Sequence, residues 1–157
     1  MGDAEDFWPP MEDAEDANSP VVLLRKQAEV LTDKSGHRLR GRVSTATIRL
    51  SNPALEALHI DPYGPNRDTF THVFSIEVPA LDDYRYNLFS VSHGLEGYPV
   101  VYEKEDGEWQ VLANAEEFTN WLKQTLSSEK TKRVLKTLRE QAGKESGRQA
   151  FGEVRYS

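Results

Sequence analysis

Four histidines, His37, His59, His72 and His93, are the only side chains here whose ordinary pKa lies near neutrality, so a search for acid–base or imidazole–metal chemistry starts with them. No two fall at a recurrent ligand spacing, such as four apart on a helix, and the chain has no cysteine to add thiolates. His93 with Glu96 is the nearest approach to a ligand pair and reads as loop chemistry. His72 falls on the apolar face of its segment, where a histidine held by one hydrogen bond is the expected occupant. A serine nucleophile needs an activating base beside it. Ser92-His93-Gly94 supplies both residue types, but neighbours in a strand point to opposite faces. Asp82-Asp83 offers paired carboxylates in what reads as a turn, where aspartate serves local hydrogen bonding. The glycines match neither phosphate-binding spacing. No residue is assigned to catalysis, to a metal or to a cofactor.

Features suited to binding are more pronounced. Phe7 and Trp8 sit in a stretch dense in acids and followed by two prolines, an aromatic pair of the kind that anchors a docking segment. Arg38, Arg40 and Arg42 alternate along one strand face and are expected to meet an acidic partner, phosphates, or acids on a neighbouring strand such as Glu77 or Glu103. Tyr84, Tyr86, Tyr98 and Tyr102, with Arg85, are expected to share that face. A basic segment near the end carries Lys130, Lys132, Arg133, Lys136 and Arg139.

Charge is segregated along the chain. The net charge is −7, and residues 1–19 hold seven acids with no base. Residues 120–157 hold nine bases against four acids, and the stretch between is net acidic. A pI near 5.1 argues against phosphate binding by the chain as a whole. The 157 residues suffice for one domain with tails. No apolar run approaches membrane-spanning length, and the acidic start lacks the basic then apolar pattern of an export signal. With cysteine absent, the expected compartment is the cytoplasm.

The elements that must position these residues follow from periodicity. Residues 1–18 cannot bury enough surface to offset their ordering entropy and are expected to be a disordered acidic arm. Residues 19–143 form the single α+β domain. Ser19-Pro20 starts a helix to Lys34, with Leu24, Ala28 and Leu31 inward and Gly36 as the stop. Leu39, Gly41 and Val43 alternate with the arginines. The apolar set then switches to Ala46, Ile48 and Leu50, which predicts a β-bulge at Ser44-Thr45 or a break into two strands. A helical turn through Leu58 and the turn-rich loop 59–68 precede a strand from Phe70 to Val78. Tyr84 to Ser92 is a third strand. Tyr98 to Glu103 and Trp109 to Leu112 make a hairpin across Glu105-Asp106-Gly107, predicted as a type I′ turn. Asn114 and Glu117 form a capping box for a helix with Phe118, Trp121, Leu122 and Leu126 on one face. Ser127-Ser128-Glu129 starts a second helix, which Gly143 is expected to end. Residues 144–157 read as a polar tail, disordered or adding an edge strand.

The resulting expectation is a helix, four or five antiparallel strands, and one or two C-terminal helices on one sheet face. Its leading function is a non-enzymatic protein-interaction module: an adaptor, a chaperone-like binder or an immunity-type inhibitor. The alternative from another class is a small hydrolase or transferase with a site near His93, Tyr84 and the 59–68 loop. A third is a nucleic-acid binder through Arg38, Arg40, Arg42 and the basic helix, whose affinity must collapse with salt. A protein partner is expected, with neither membrane nor nucleic acid favoured; the oligomeric state is not fixed by these patterns. If the acidic arm lies across the basic helix or the arginines, removing residues 1–18 raises binding to acidic and nucleic-acid ligands; equal binding by the truncated protein refutes that arrangement.

Overall fold

A computed structural model describes residues 5–10 and 16–151. The chain runs α1 (Pro20–Lys34), β1 (Arg40–Arg49), α2 (Asn52–Ala57), β2 (Asp68–Val78), a 3₁₀ turn (Pro79–Leu81), β3 (Tyr84–His93), β4 (Val100–Glu103), β5 (Trp109–Leu112), α3 (Ala115–Leu126) and α4 (Glu129–Phe151). The five strands form one antiparallel meander in sequence order. Among the described residues, no helix is long and apolar enough to cross a membrane.

Pro20 opens α1 at its first position, where its missing N–H costs nothing. Leu24 and Ala28, one turn apart, are buried. Beyond the helix, Gly36 and His37 take positive φ to reverse the chain toward β1. Two hydroxyls then join α1 to β1: Thr32 Oγ1 accepts the Gly41 N–H at 3.0 Å, and Ser35 Oγ accepts the Leu39 N–H at 3.1 Å. Gly41 is required at this crossing, because a Cβ there would lie 2.5 Å from the Ala28 carbonyl oxygen.

The main core lies between the sheet and α1, α3 and α4, in two clusters. One gathers Leu24, Ala28, Phe74, Val91, Val100, Leu112, Phe118 and Leu122; the other Leu39, Ile76, Val78, Leu138 and Ala142. On the opposite sheet face, α2 packs against β5. Ala54, Leu55 and Val101 are fully buried yet belong to neither main cluster. That face is therefore partly covered, by a helix the sequence marks only as one turn.

Several expectations are corrected. Strand β1 pairs with β2 from Arg40↔Glu77 to Arg49↔Asp68 without a slip, so neither a bulge at Ser44-Thr45 nor a break occurs. Ala46 and Ile48 simply face outward on an exposed half-strand. The bulge lies in β3 instead: Ser75 pairs with Asn87 and Phe74 with Phe89, leaving Leu88 as the extra residue. The β4–β5 turn is not type I′. Among residues 105–107 only Gly107 has positive φ, and its N–H bonds the Lys104 carbonyl at 2.9 Å, giving a type I turn closed by a left-handed glycine. Asp82 and Asp83 are the pair with positive φ, at 56° and 59°, in the turn into β3. The break between α3 and α4 falls at Ser127-Ser128, where Ser128 Oγ accepts the Thr131 N–H. Gly143 does not end α4, which continues to Phe151, so the first part of the tail is helical and adds no strand. Residues 152–157 lie outside the described residues, as do 1–4 and 11–15 of the arm.

Placing a side chain at Gly41 is expected to push α1 off β1. Gly41→Ala should lower stability by about 2 kcal/mol, within the range for overpacking a tight contact. The measurement is urea unfolding, with a midpoint that falls while the slope holds.

Candidate functional site

The sheet is incomplete at its middle. β3 and β4 share two rungs, Ser92↔Val101 and His93↔Val100, whereas β3 pairs with β2 along its whole length. Among the described residues, the β3 edge from Tyr84 to Val91 therefore has no strand neighbour on its second side. Trp121 of α3 packs against side chains of both strands, with its ring 5.1 Å from Phe89 of β3 and 4.7 Å from Tyr102 of β4. The Leu88 bulge adds twist at the same level.

The result is a cleft of about 570 Å³ between β3 and the β4–β5 hairpin. Phe89, Tyr102, Trp109 and Trp121 supply its aromatic walls, serines and threonines including Ser90 and Thr125 its hydroxyls, and Lys104 and Lys130 stand with Glu103 and Glu105 as its charged groups. That volume lies within the usual range for ligand sites, and the mixture of apolar walls with a few polar groups is the usual composition. Free backbone groups along one wall make the cleft competent to hydrogen-bond an extended chain.

At the closed end, beside the last rung, two imidazoles form a buried chain. His72 Nε2 and His93 Nε2 are 2.7 Å apart, Thr45 Oγ1 is 2.8 Å from His72 Nδ1, and His93 Nδ1 is 2.7 Å from the Gly94 carbonyl oxygen. The carbonyl only accepts, so His93 carries its proton on Nδ1 and its Nε2 accepts from His72 Nε2–H. His72 Nδ1 then accepts from the Thr45 hydroxyl. Every polar atom is used with both rings neutral. Burial, the neighbouring His93 and the charge of Arg25 lower His72 to about 4, and burial also lowers His93. This pair is a satisfied core element, as expected of His72. Its nitrogens are committed, and Tyr84 stands at the far end of the ten-residue β3, roughly 30 Å from His93. Tyr84 and His93 are thus not brought together, whereas Ile60 of the 59–68 loop does approach Gly94.

The binding residues read from sequence are dispersed. Phe7 and Trp8 are exposed in the arm, with the Trp8 N–H bonded to Asp6 Oδ1. Arg38 precedes β1 and is not part of an arginine ladder. Arg40 is exposed, and Arg42 and Arg85 converge on the buried Glu77 carboxylate at 2.9 and 2.6 Å. The bond from Arg85 is the largest cause holding Glu77 below the ordinary carboxylate range, against its burial. The tyrosines do not join this face. Tyr84 and Tyr86 pair with Val78 and Ile76 and so point to the helix side, Tyr86 into the second core cluster. Tyr98 and Tyr102 pack on the first cluster, and Tyr98 donates to the Asn18 carbonyl at 2.6 Å, fixing the root of the arm. Burial raises its phenol to about 12. The basic residues of α4 named above are exposed.

Both imidazoles have pKa values depressed in the folded state, so the unfolded chain binds protons that the native chain does not. Stability attributable to the pair is full above the ordinary value of 6.5 and is lost as pH falls toward about 4. Urea midpoints should decline across that window, and His72→Gln, which keeps a donor toward His93, should flatten the decline. An unaltered pH profile in that variant would show that the pair carries no such load. In comparisons with models of protein families, with curated proteins and with solved structures, this chain matches none.

Proposed function

We propose that this chain is a non-enzymatic protein-interaction module that takes up an extended segment of a partner protein along the free edge of β3, within the aromatic cleft. The observation that carries this reading is the two-rung β3–β4 ladder, which among the described residues leaves the side of Tyr84–Val91 facing away from β2 without a strand partner, beside a cleft walled by Phe89, Tyr102, Trp109 and Trp121. Strand addition draws affinity from main-chain hydrogen bonds and specificity from side-chain pockets on alternate residues. The cleft supplies both kinds of contact. Rigid aromatics lose little entropy on contact, and their clustering at a desolvated centre is typical of the residues that dominate binding.

The test begins with affinity capture of a partner by the full-length protein and by protein lacking residues 1–18. Hydrogen exchange on the complex then locates the contact. The amides of Tyr84–Val91 are expected to become protected. Ser90→Arg, at an exposed position in the cleft wall, is expected to weaken the complex at least tenfold, about 1.4 kcal/mol. Unprotected β3 amides together with unchanged affinity of the Ser90→Arg protein would refute the reading. Retention of the partner without residues 1–18 would separate the cleft from Phe7 and Trp8.

A further inference from the structure

The sheet has two outer edges, and they are treated differently. β5 is four residues long, with α2 packed against it. β1 is ten residues long, and α1 packs on it near its start, where Thr32 Oγ1 takes the Gly41 N–H. From Thr45 to Arg49 every residue is exposed. The segment from Val43 to Ile48 holds no charge, no proline and no bulge, although such devices are what usually keep an exposed edge from pairing.

We infer that this exposed half of β1 is a self-association edge, which pairs antiparallel with the same strand of a second copy of this chain. The backbone sets the register, and the residues that then face each other admit an identical strand. The Gly41 N–H points away from β2 to Thr32 Oγ1. Alternation along an unslipped antiparallel ladder then sends the N–H and C=O groups of Val43, Thr45, Thr47 and Arg49 outward as well. A twofold axis at Ala46 sets Val43 against Arg49 and Thr45 against Thr47, so all four outward residues pair, with about eight hydrogen bonds across the junction. Moving the axis to Thr45 or Thr47 leaves three such pairs, because Thr32 occupies the Gly41 N–H and β1 ends at Arg49.

In the Ala46 register no like charges face each other: Arg49 lies across from Val43, and Arg42 across from Leu50. On the sheet face away from α1, Ala46 meets its own copy and Ile48, 40% exposed in the single chain, meets Ser44. The product is one ten-stranded sheet with both helical layers on the same side. A single strand edge buries less than the roughly 800 Å² per partner of a standard interface, so the pair forms with concentration rather than permanently.

The experiment uses the full chain, which has no cysteine of its own. At the twofold axis the two Ala46 Cα atoms stand about 4.5 Å apart, within disulfide reach, whereas the two Ile48 Cα atoms are about 14 Å apart. Ala46→Cys is therefore expected to oxidise to a covalent dimer at least tenfold faster than Ile48→Cys. Sedimentation over roughly a hundredfold range of concentration should show reversible dimerisation. Thr47→Pro removes only an outward N–H and should weaken it at least tenfold; Thr47→Lys, with unchanged circular dichroism, should do the same. A monomer at every concentration, equal oxidation rates at the two cysteines, or dimerisation unaffected by both Thr47 variants would overturn the inference. Capture of a different protein's strand on β1 without dimerisation would overturn it too.

Discussion

Backbone amide and carbonyl groups at a strand edge must be hydrogen-bonded by something, and the architecture of this protein follows from how each edge meets that demand. The first half of β1 uses side chains of α1, with Thr32 and Ser35 as partners for Gly41 and Leu39. That solution fixes a close helix–strand crossing and excludes any side chain at position 41. β5 is short and has α2 beside it. Two stretches remain for solvent or a partner: the second half of β1 and the inner edge of β3. They lie on opposite sides of a β2–β3 pair that is fully laddered, so the rigid centre of the molecule presents a free edge on each flank.

The two flanks differ in what surrounds them. The β1 half-strand carries no charge before Arg49, and it presents threonines, an alanine and an isoleucine to solvent. The β3 edge is walled by aromatic rings and lies next to the helical layer. Shape and chemistry therefore separate an edge suited to an identical strand from a cleft able to discriminate among side chains. The His72–His93 chain ties the flanks together internally. It runs from Thr45 on β1, through β2, to the last residue of β3 and the Gly94 carbonyl, and it ends beside the rung where β4 leaves β3. Its donors and acceptors are matched with both rings neutral. One added proton has a place at His72 Nδ1 if the Thr45 hydroxyl turns to accept. A second would set two N–H groups against each other at 2.7 Å.

Much of the fold was legible because it is written in local pattern. The proline start of α1, the alternation of β2 and the Asn114–Glu117 capping box each depend on residues within one or two turns of one another. The Ser127-Ser128-Glu129 start of the second helix was equally local, and Ser128 supplies the hydrogen bond that makes it. Where reading failed, a local pattern had two physical causes. The parity switch at Ala46 looked like a bulge but is an exposed half-strand, since apolar residues can face water when an edge is left bare. The real bulge had its own signal in the adjacent Leu88 and Phe89, two large apolar residues that a simple alternation cannot place on one face.

The candidate site was hardly legible at all, for a reason that goes beyond missed residues. A cleft made by strands that fail to pair is bounded by Phe89 and Tyr102 together with Trp121, which lies outside both strands. No spacing rule connects residues 89, 102 and 121, so each reads separately as core. The same limitation scattered the predicted tyrosines and arginines. Alternation assigns residues within a strand to two faces, but it does not say which face of one strand continues which face of the next; register does. Once Tyr86 pairs with Ile76 and Arg85 with Glu77, the aromatic set turns toward the helices, and Arg42 and Arg85 turn toward a shared carboxylate. The mixed aromatic and basic surface expected from composition thus divides into an aromatic interior and a compensated polar face. Binding capacity passes to the places where the backbone itself is unsatisfied.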